Sequence, residues 1–284
     1  MLLELAIADA YSVQWKNRSV QFIQTYNDLS SYSSHTNNKL LPGCYTGNIQ
    51  MNIAIVEMLV LKHPLIKEFL ANSFVVTFKR DPRSGYLDRL EQLLSLVNDG
   101  RELIAKINPY NTQDNCAIRA IPLGILSTPE RVIKATIAQA AITNNNPDDL
   151  NASLAVGLMS HYFIYCLDNK ERLKDFLDIY IDTRWLRSGH GNLTRRSLIT
   201  IALAIEAIID CDSLSQLLQR CISTAENFHQ VAAIAVATAS CSQEYQQDLP
   251  RCLIDNLENT KYGRDYLINL DRRWMELTPS QLHY

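Results

Sequence analysis

Apolar residues recur at i, i+3, i+4 and i+7 in eleven segments of this chain: 50–61, 64–79, 86–97, 130–142, 148–168, 171–182, 194–209, 213–225, 229–241, 248–258 and 262–276. That spacing gives each segment one apolar stripe along a helix, and stripes of that kind must be buried against one another. Start signals fall in phase with the stripes. In "STPERV" Thr128 stands as a cap with Pro129 at the first helical position. In "NNNPDDL" Pro147 takes that position, and Asp148 and Asp149 fill a first turn where the helix dipole favours carboxylates. "DCDSLSQLL" offers Asp212 or Ser213 as a cap. Only "SFVVTFKR" (73–80) has strand-like β-branched content, and its phase also fits the end of a helix. Residues 16–41 are the least periodic and read as a long polar loop with room for one short helix. Loops of that length inside a domain usually carry function or move. There is no fixed-period repeat, low-complexity tract or hinge-like linker. The expected architecture is one all-α domain over residues 1–284, an orthogonal packing of roughly a dozen helices.

Composition narrows what such a domain does. At 284 residues and 47% hydrophobic, the chain can bury a substantial core. A net charge of −3 provides no global field for nucleic acid or an anionic membrane. The pairs Arg195-Arg196 and Arg272-Arg273 read as solvated helix faces. Seven cysteines (Cys44, Cys116, Cys166, Cys211, Cys221, Cys241 and Cys252) form no C-x-x-C pair. Such an odd, dispersed set reads as reduced thiols of a cytoplasmic protein. "MLLELAIADAYS" lacks a basic region and carries Glu4 and Asp9, which argues against a signal peptide. No uncharged apolar run approaches the roughly 18 residues of a membrane span.

Four stretches in order resemble the ADP-ribosylglycohydrolase family: "LAIADAYS" (5–12), "YTGNIQMNIAI" (45–55), "NCAIRAIPLGIL" (115–126) and "ENFHQVAAIAVATAS" (226–240). The tail "YGRDYLINLDRRW" is also similar to bacterial members. The resemblance implies an all-α fold and, in active members, cleavage of ADP-ribose from its acceptors. It also implies a magnesium pair held at two helix starts, one of Thr-Asp-Asp type and one of Asp-x-Asp-Thr type. At the corresponding positions this chain has Thr46, Gly47 and Asn48, then Asn227, His229 and Gln230. Only Thr46 matches. Four carboxylates have become Gly, Asn, Asn and His.

The remaining motifs are eroded in the same sense. Ala8 and Ser12 stand where the opening helix of the family has Gly, Asn115 replaces another Gly, and Asn144 stands where bacterial members often carry His. What persists is scaffold: Ala6, Ala10, Ala117, Arg119, Pro122, Leu123, Gly124 and the Val231–Ala235 run. Mg²⁺ requires hard oxygen ligands with carboxylates to offset its charge. One unit-charge pair at 4 Å contributes about 4 kcal/mol at an effective dielectric of 20, so losing four is not compensated by amide carbonyls. The expectation is no metal and no cofactor.

If the fold is kept, Tyr45, Thr46, Gly47, Asn48, Arg119, Asn227, His229 and Gln230 are the candidate ligand-binding residues, with no catalytic residue among them. Two uncapped helix N-termini without acids would turn a cation site into a neutral or weakly anion-attracting one. A zinc role for His229, with Cys44 or His35, is disfavoured because Ala232 and Ala233 occupy i+3 and i+4. Asp9 is expected to be a buried acceptor of backbone N–H groups, and Arg119 either a buried structural contact or a phosphate ligand. Asp28 is the one acid in the 16–41 segment, which leaves little there for general acid–base work. Three functions follow from this pattern. The first is a catalytically inactive member acting through a protein partner or regulation. The alternatives are a non-hydrolysing sensor of ADP-ribose or another nucleotide, and a weak or metal-independent hydrolase.

Overall fold

The computed structural model describes residues 1–33, 40–109, 116–187, 196–224 and 228–278. Caps and prolines set the helix starts. Ser19, Thr46, Asp99, Thr128 and Asn146 each accept a hydrogen bond from a first-turn backbone N–H, and Pro129 and Pro147 occupy the first helical position. The helices are α1 (Leu2–Val13), α2 (Val20–Tyr26), α3 (Gly47–Val60), α4 (Lys67–Arg80), α5 (Asp88–Leu96), α6 (Gly100–Lys106), α7 (Pro129–Thr143) and α8 (Pro147–Ile164). They continue as α9 (Leu173–Tyr180), α10 (Arg184–Arg187), α11 (Arg196–Asp210), α12 (Leu214–Thr224), α13 (Phe228–Ala239), α14 (Arg251–Asp255) and α15 (Arg264–Met275). Among the described residues there is no strand; one isolated bridge joins Ser213 to Gln246. The fold is all-α.

Helix α13 lies at the centre, packed by α1, α12, α11 and α8. Every residue from Val231 to Ala239 is buried, and most are alanine. Small side chains let neighbouring helices approach closely, and α1 answers with its own Leu5–Ser12 run, also buried all round. Around this pair runs one hydrophobic core from Met1 to Trp274, the latter donating its indole N–H to the Pro122 carbonyl at 3.1 Å.

Several boundaries differ from the periodic reading, each for a local reason. The strand-like 73–80 stretch is the end of α4. Residues 118–125 form a 3₁₀ helix with Pro122 inside it, against which α8 packs. Helix α6 was not foreseen, because seven residues are too few for a period to register. The 148–168 stripe stops at Ile164 because Cys166 adopts φ 47°. Its N–H reaches the Phe163 carbonyl (3.3 Å) while the Leu167 N–H reaches that of Tyr162 (3.2 Å), a Schellman end without glycine. Helix α3 ends the same way on Lys62 (φ 56°), with His63 N–H on the Met58 carbonyl at 2.8 Å.

Candidate functional site

The start of α3 is built on α1. Asp9 sits buried on α1, and both its carboxylate oxygens accept from Thr46: Oδ2 from the backbone N–H (2.6 Å), Oδ1 from the hydroxyl (3.0 Å). This is the acceptor role expected of it. Burial pushes the Asp9 carboxyl up to about 6, against the pull of the Thr46 bonds and of Arg83. Thr46 Oγ1 then caps α3 by accepting from Asn48 N–H at 3.2 Å, and Gly47 N–H donates to the Ser84 carbonyl at 2.8 Å. The expectation of an uncapped, anion-ready helix start therefore fails for α3, whose first donors are spent within the protein.

The loop between α4 and α5 covers that start. Gly85 has φ 108°, and a Cβ there would lie 2.5 Å from Thr46 Cβ. Tyr86 comes next, and its ring lies where a side chain at 47 would go: a Cβ built on Gly47 would meet Tyr86 Cε2 at 2.2 Å. The ring is fixed from both ends, donating through its hydroxyl to Gln50 Oε1 (2.8 Å) and standing edge-on to Phe78 with centroids 5.7 Å apart.

Beside this plug lies a cleft of ≈ 390 Å³. Thr46 and Asn48 from α3, His229 from α13, and Val13 and Lys16 from the end of α1 line it. Asp88 and Glu91 of α5 line it too. His229 is held down to about 4 by burial, then by the charges of Lys16 and Arg196.

Of the eight sequence-predicted residues, Thr46, Asn48 and His229 meet in this cleft. Tyr45 is fully buried instead, its ring under the Arg83 guanidinium (3.7 Å) and its hydroxyl on the Tyr262 carbonyl (2.7 Å). Gly47 is buried beneath Tyr86, and Gln230, half-buried on α13, does not line the cleft. Arg119 lies elsewhere: it is 1% exposed, with Nε on Gln139 Oε1 (3.0 Å) and Nη2 on Thr143 Oγ1 (2.6 Å). Asn227, like Asn115 and His35, lies outside the described residues. The 16–41 segment contributes Lys16 and Leu40 to the cleft and contains α2. Sequence reasoning missed Asp88, Glu91 and the Ser84–Tyr86 plug. The signal was a Pro82…Gly85 loop between two helices, whose partner only the fold supplies.

The ADP-ribosylglycohydrolase family profile matches residues 1–281. The chain belongs to the ADP-ribosylglycohydrolase family. A solved structure described as an "ADP-ribosylglycohydrolase-related protein complex" superposes with a TM-score of 0.71 at 14% identity, covering 98% of this chain and 96% of that one. At that identity the likeness speaks for the fold. No curated protein matches the chain.

The family's magnesium pair does not fit the described residues. Thr46 Oγ1 is engaged with Asp9 and Asn48, and position 47 has no side chain and no room for one. Among the described residues no three His, Cys, Asp or Glu side chains are grouped to hold a metal ion. Nor is any described helix long and apolar enough to cross a membrane.

Proposed function

We propose that this family member has given up metal-dependent glycohydrolase chemistry and acts in the cytoplasm by binding a protein partner, as a regulatory pseudoenzyme. The observation that carries the reading is the Tyr86 ring, which fills the place of a metal-binding side chain at position 47. Without a metal, the cleft has no ion to hold and orient the ribose hydroxyls while a glycosidic bond breaks. Dispersed free cysteines are consistent with a reducing compartment.

One observation favours a second reading, the sensor of ADP-ribose or another nucleotide. The ≈ 390 Å³ cleft is lined by cationic Lys16 and by the carboxylates Asp88 and Glu91. Those two acids also keep the weak, metal-independent hydrolase in play, since they supply the carboxylates that the 16–41 segment lacks. Incubation with ADP-ribosylated arginine and serine peptides, with and without Mg²⁺, separates the readings. The expected outcome is no release of ADP-ribose above a no-enzyme control, and steady turnover would overturn the pseudoenzyme reading. Calorimetric titration with ADP-ribose then decides the rest: saturable heat supports the sensor, and its absence supports the interaction protein.

A further inference from the structure

A second concavity, ≈ 640 Å³, lies between the end of α3, the end of the 3₁₀ segment and the first half of α7. Leu59, Leu65, Ile125, Leu126 and Tyr165 give it an apolar floor, and Ile66 at its edge is 46% exposed. Lys62, His63, Arg131 and Lys134 line it, and no carboxylate does. In a chain of net charge −3, this apolar groove thus has a charged lining of one sign.

The fold itself explains only half of that charge. Lys62 and His63 follow the C-terminus of α3, where the helix dipole favours cations. Arg131 stands in the first turn of α7, where the same dipole disfavours it, and Lys134 lies in the next turn, where the dipole does not call for a cation. Arg131 donates to Ser127 Oγ at 2.9 Å, and Lys62, Arg131 and Lys134 are in no ion pair among the described residues. Unpaired cations rimming exposed apolar surface are a recognition pattern, since the surface complements a ligand that is acidic outside and apolar at its centre. A bilayer is flat and would not reach the floor of a groove. Nucleic acid would bring phosphates, not side chains, to Leu126 and Ile125.

We infer that this groove docks an acidic peptide segment of a protein partner, with one or two large apolar side chains seated on its floor. The inference rests on the interaction half of the proposed function and names its surface. Its failure is read apart from that proposal, because turnover is assayed at the cleft, which shares no residue with the groove.

The test is selection of a displayed random peptide library on the immobilised full chain, followed by fluorescence polarisation with synthetic copies of the enriched peptides. Enriched sequences should combine Asp or Glu with Leu, Phe or Trp. Lys62→Glu/Lys134→Glu should weaken binding at least about tenfold, and raising salt from about 0.05 M to about 0.5 M should weaken it for the parent. Ser127→Trp, exposed at the groove's edge, should weaken binding without changing charge. Both variants should melt with the parent; if the charge reversal does not, Ser127→Trp decides. Peptides without acids, equal affinity for these variants, or no enrichment at all would overturn the inference. So would phosphatidylserine vesicles that bind through the same residues while peptides do not.

Discussion

The Tyr86 ring occupies the space that a side chain at Gly47 would take. Gly47→Asp restores a carboxylate in sequence but drives it into the Tyr86 ring. Overpacking of a buried site costs about 1–3 kcal/mol, so the melting temperature should fall by several degrees with no gain in Mg²⁺ binding. Tyr86→Ala opens that space. In a double-mutant cycle by thermal melts, Gly47→Asp should cost less in the Tyr86→Ala background than alone. Strict additivity would show that the ring does not exclude the side chain. Two more residues at the same spot titrate in opposite senses. Asp9 is raised from 3.8 to about 6, so the folded state binds the extra proton and Asp9's contribution falls as pH rises through that window. His229 is lowered from 6.5 to about 4, so the unfolded state binds the extra proton and its contribution rises with pH over the same range. Relative to the parent, Asp9→Asn should gain stability from pH 4 to 6, and His229→Gln should lose it. Denaturant melts across that range check both signs, and parallel slopes would contradict them.

At the level of elements, the α4–α5 loop is held by the segment between α14 and α15. Arg83 is buried, donates to Asp81 Oδ2 at 2.7 Å and to both oxygens of Glu258, and covers the Tyr45 ring. Glu258 in turn accepts from Tyr45 N–H at 3.3 Å, so one ion pair ties together the residue before Thr46, the plug loop and the C-terminal region. Removing one partner of a buried pair costs about 3–5 kcal/mol because the other stays desolvated. Glu258→Gln, which keeps one acceptor, should fall at the lower end of that range in a urea melt. Asp182→Asn, in a solvent-exposed pair with Arg184, should leave stability unchanged. Equal effects would mean that the Arg83 network is not what seats the loop. None of this was readable beforehand, since Arg83 and Glu258 are 175 residues apart and neither belongs to a motif.

For the molecule as a whole, Thr46 and Asn48 at the start of α3 and His229 in the first turn of α13 line one cleft. A ligand that binds only the native state raises its melting temperature by mass action. Millimolar Mg²⁺ should therefore leave the melt unchanged, and a saturable rise would show that Asp88 and Glu91 rebuild a site. The all-α architecture and most helix starts were legible in the sequence, because period and capping are local: Thr128, Pro129, Asn146 and Pro147 act within one turn of where they stand. The loss of the acids was legible for the same reason, position by position. Helix ends on Cys166 and Lys62 were not, because a left-handed residue without glycine leaves no mark in the sequence. The identity of the cleft was only half legible. Thr46, Asn48 and His229 were placed there by resemblance, whereas Arg119 and Tyr45 were drawn into the core, where their polar atoms found buried partners. What the sequence determined by itself is which side chains stand at the two helix starts. Only the tertiary structure decided what fills the gap, because Tyr86 reaches Gly47 through a loop whose path depends on contacts with α1, α3 and the C-terminal region together.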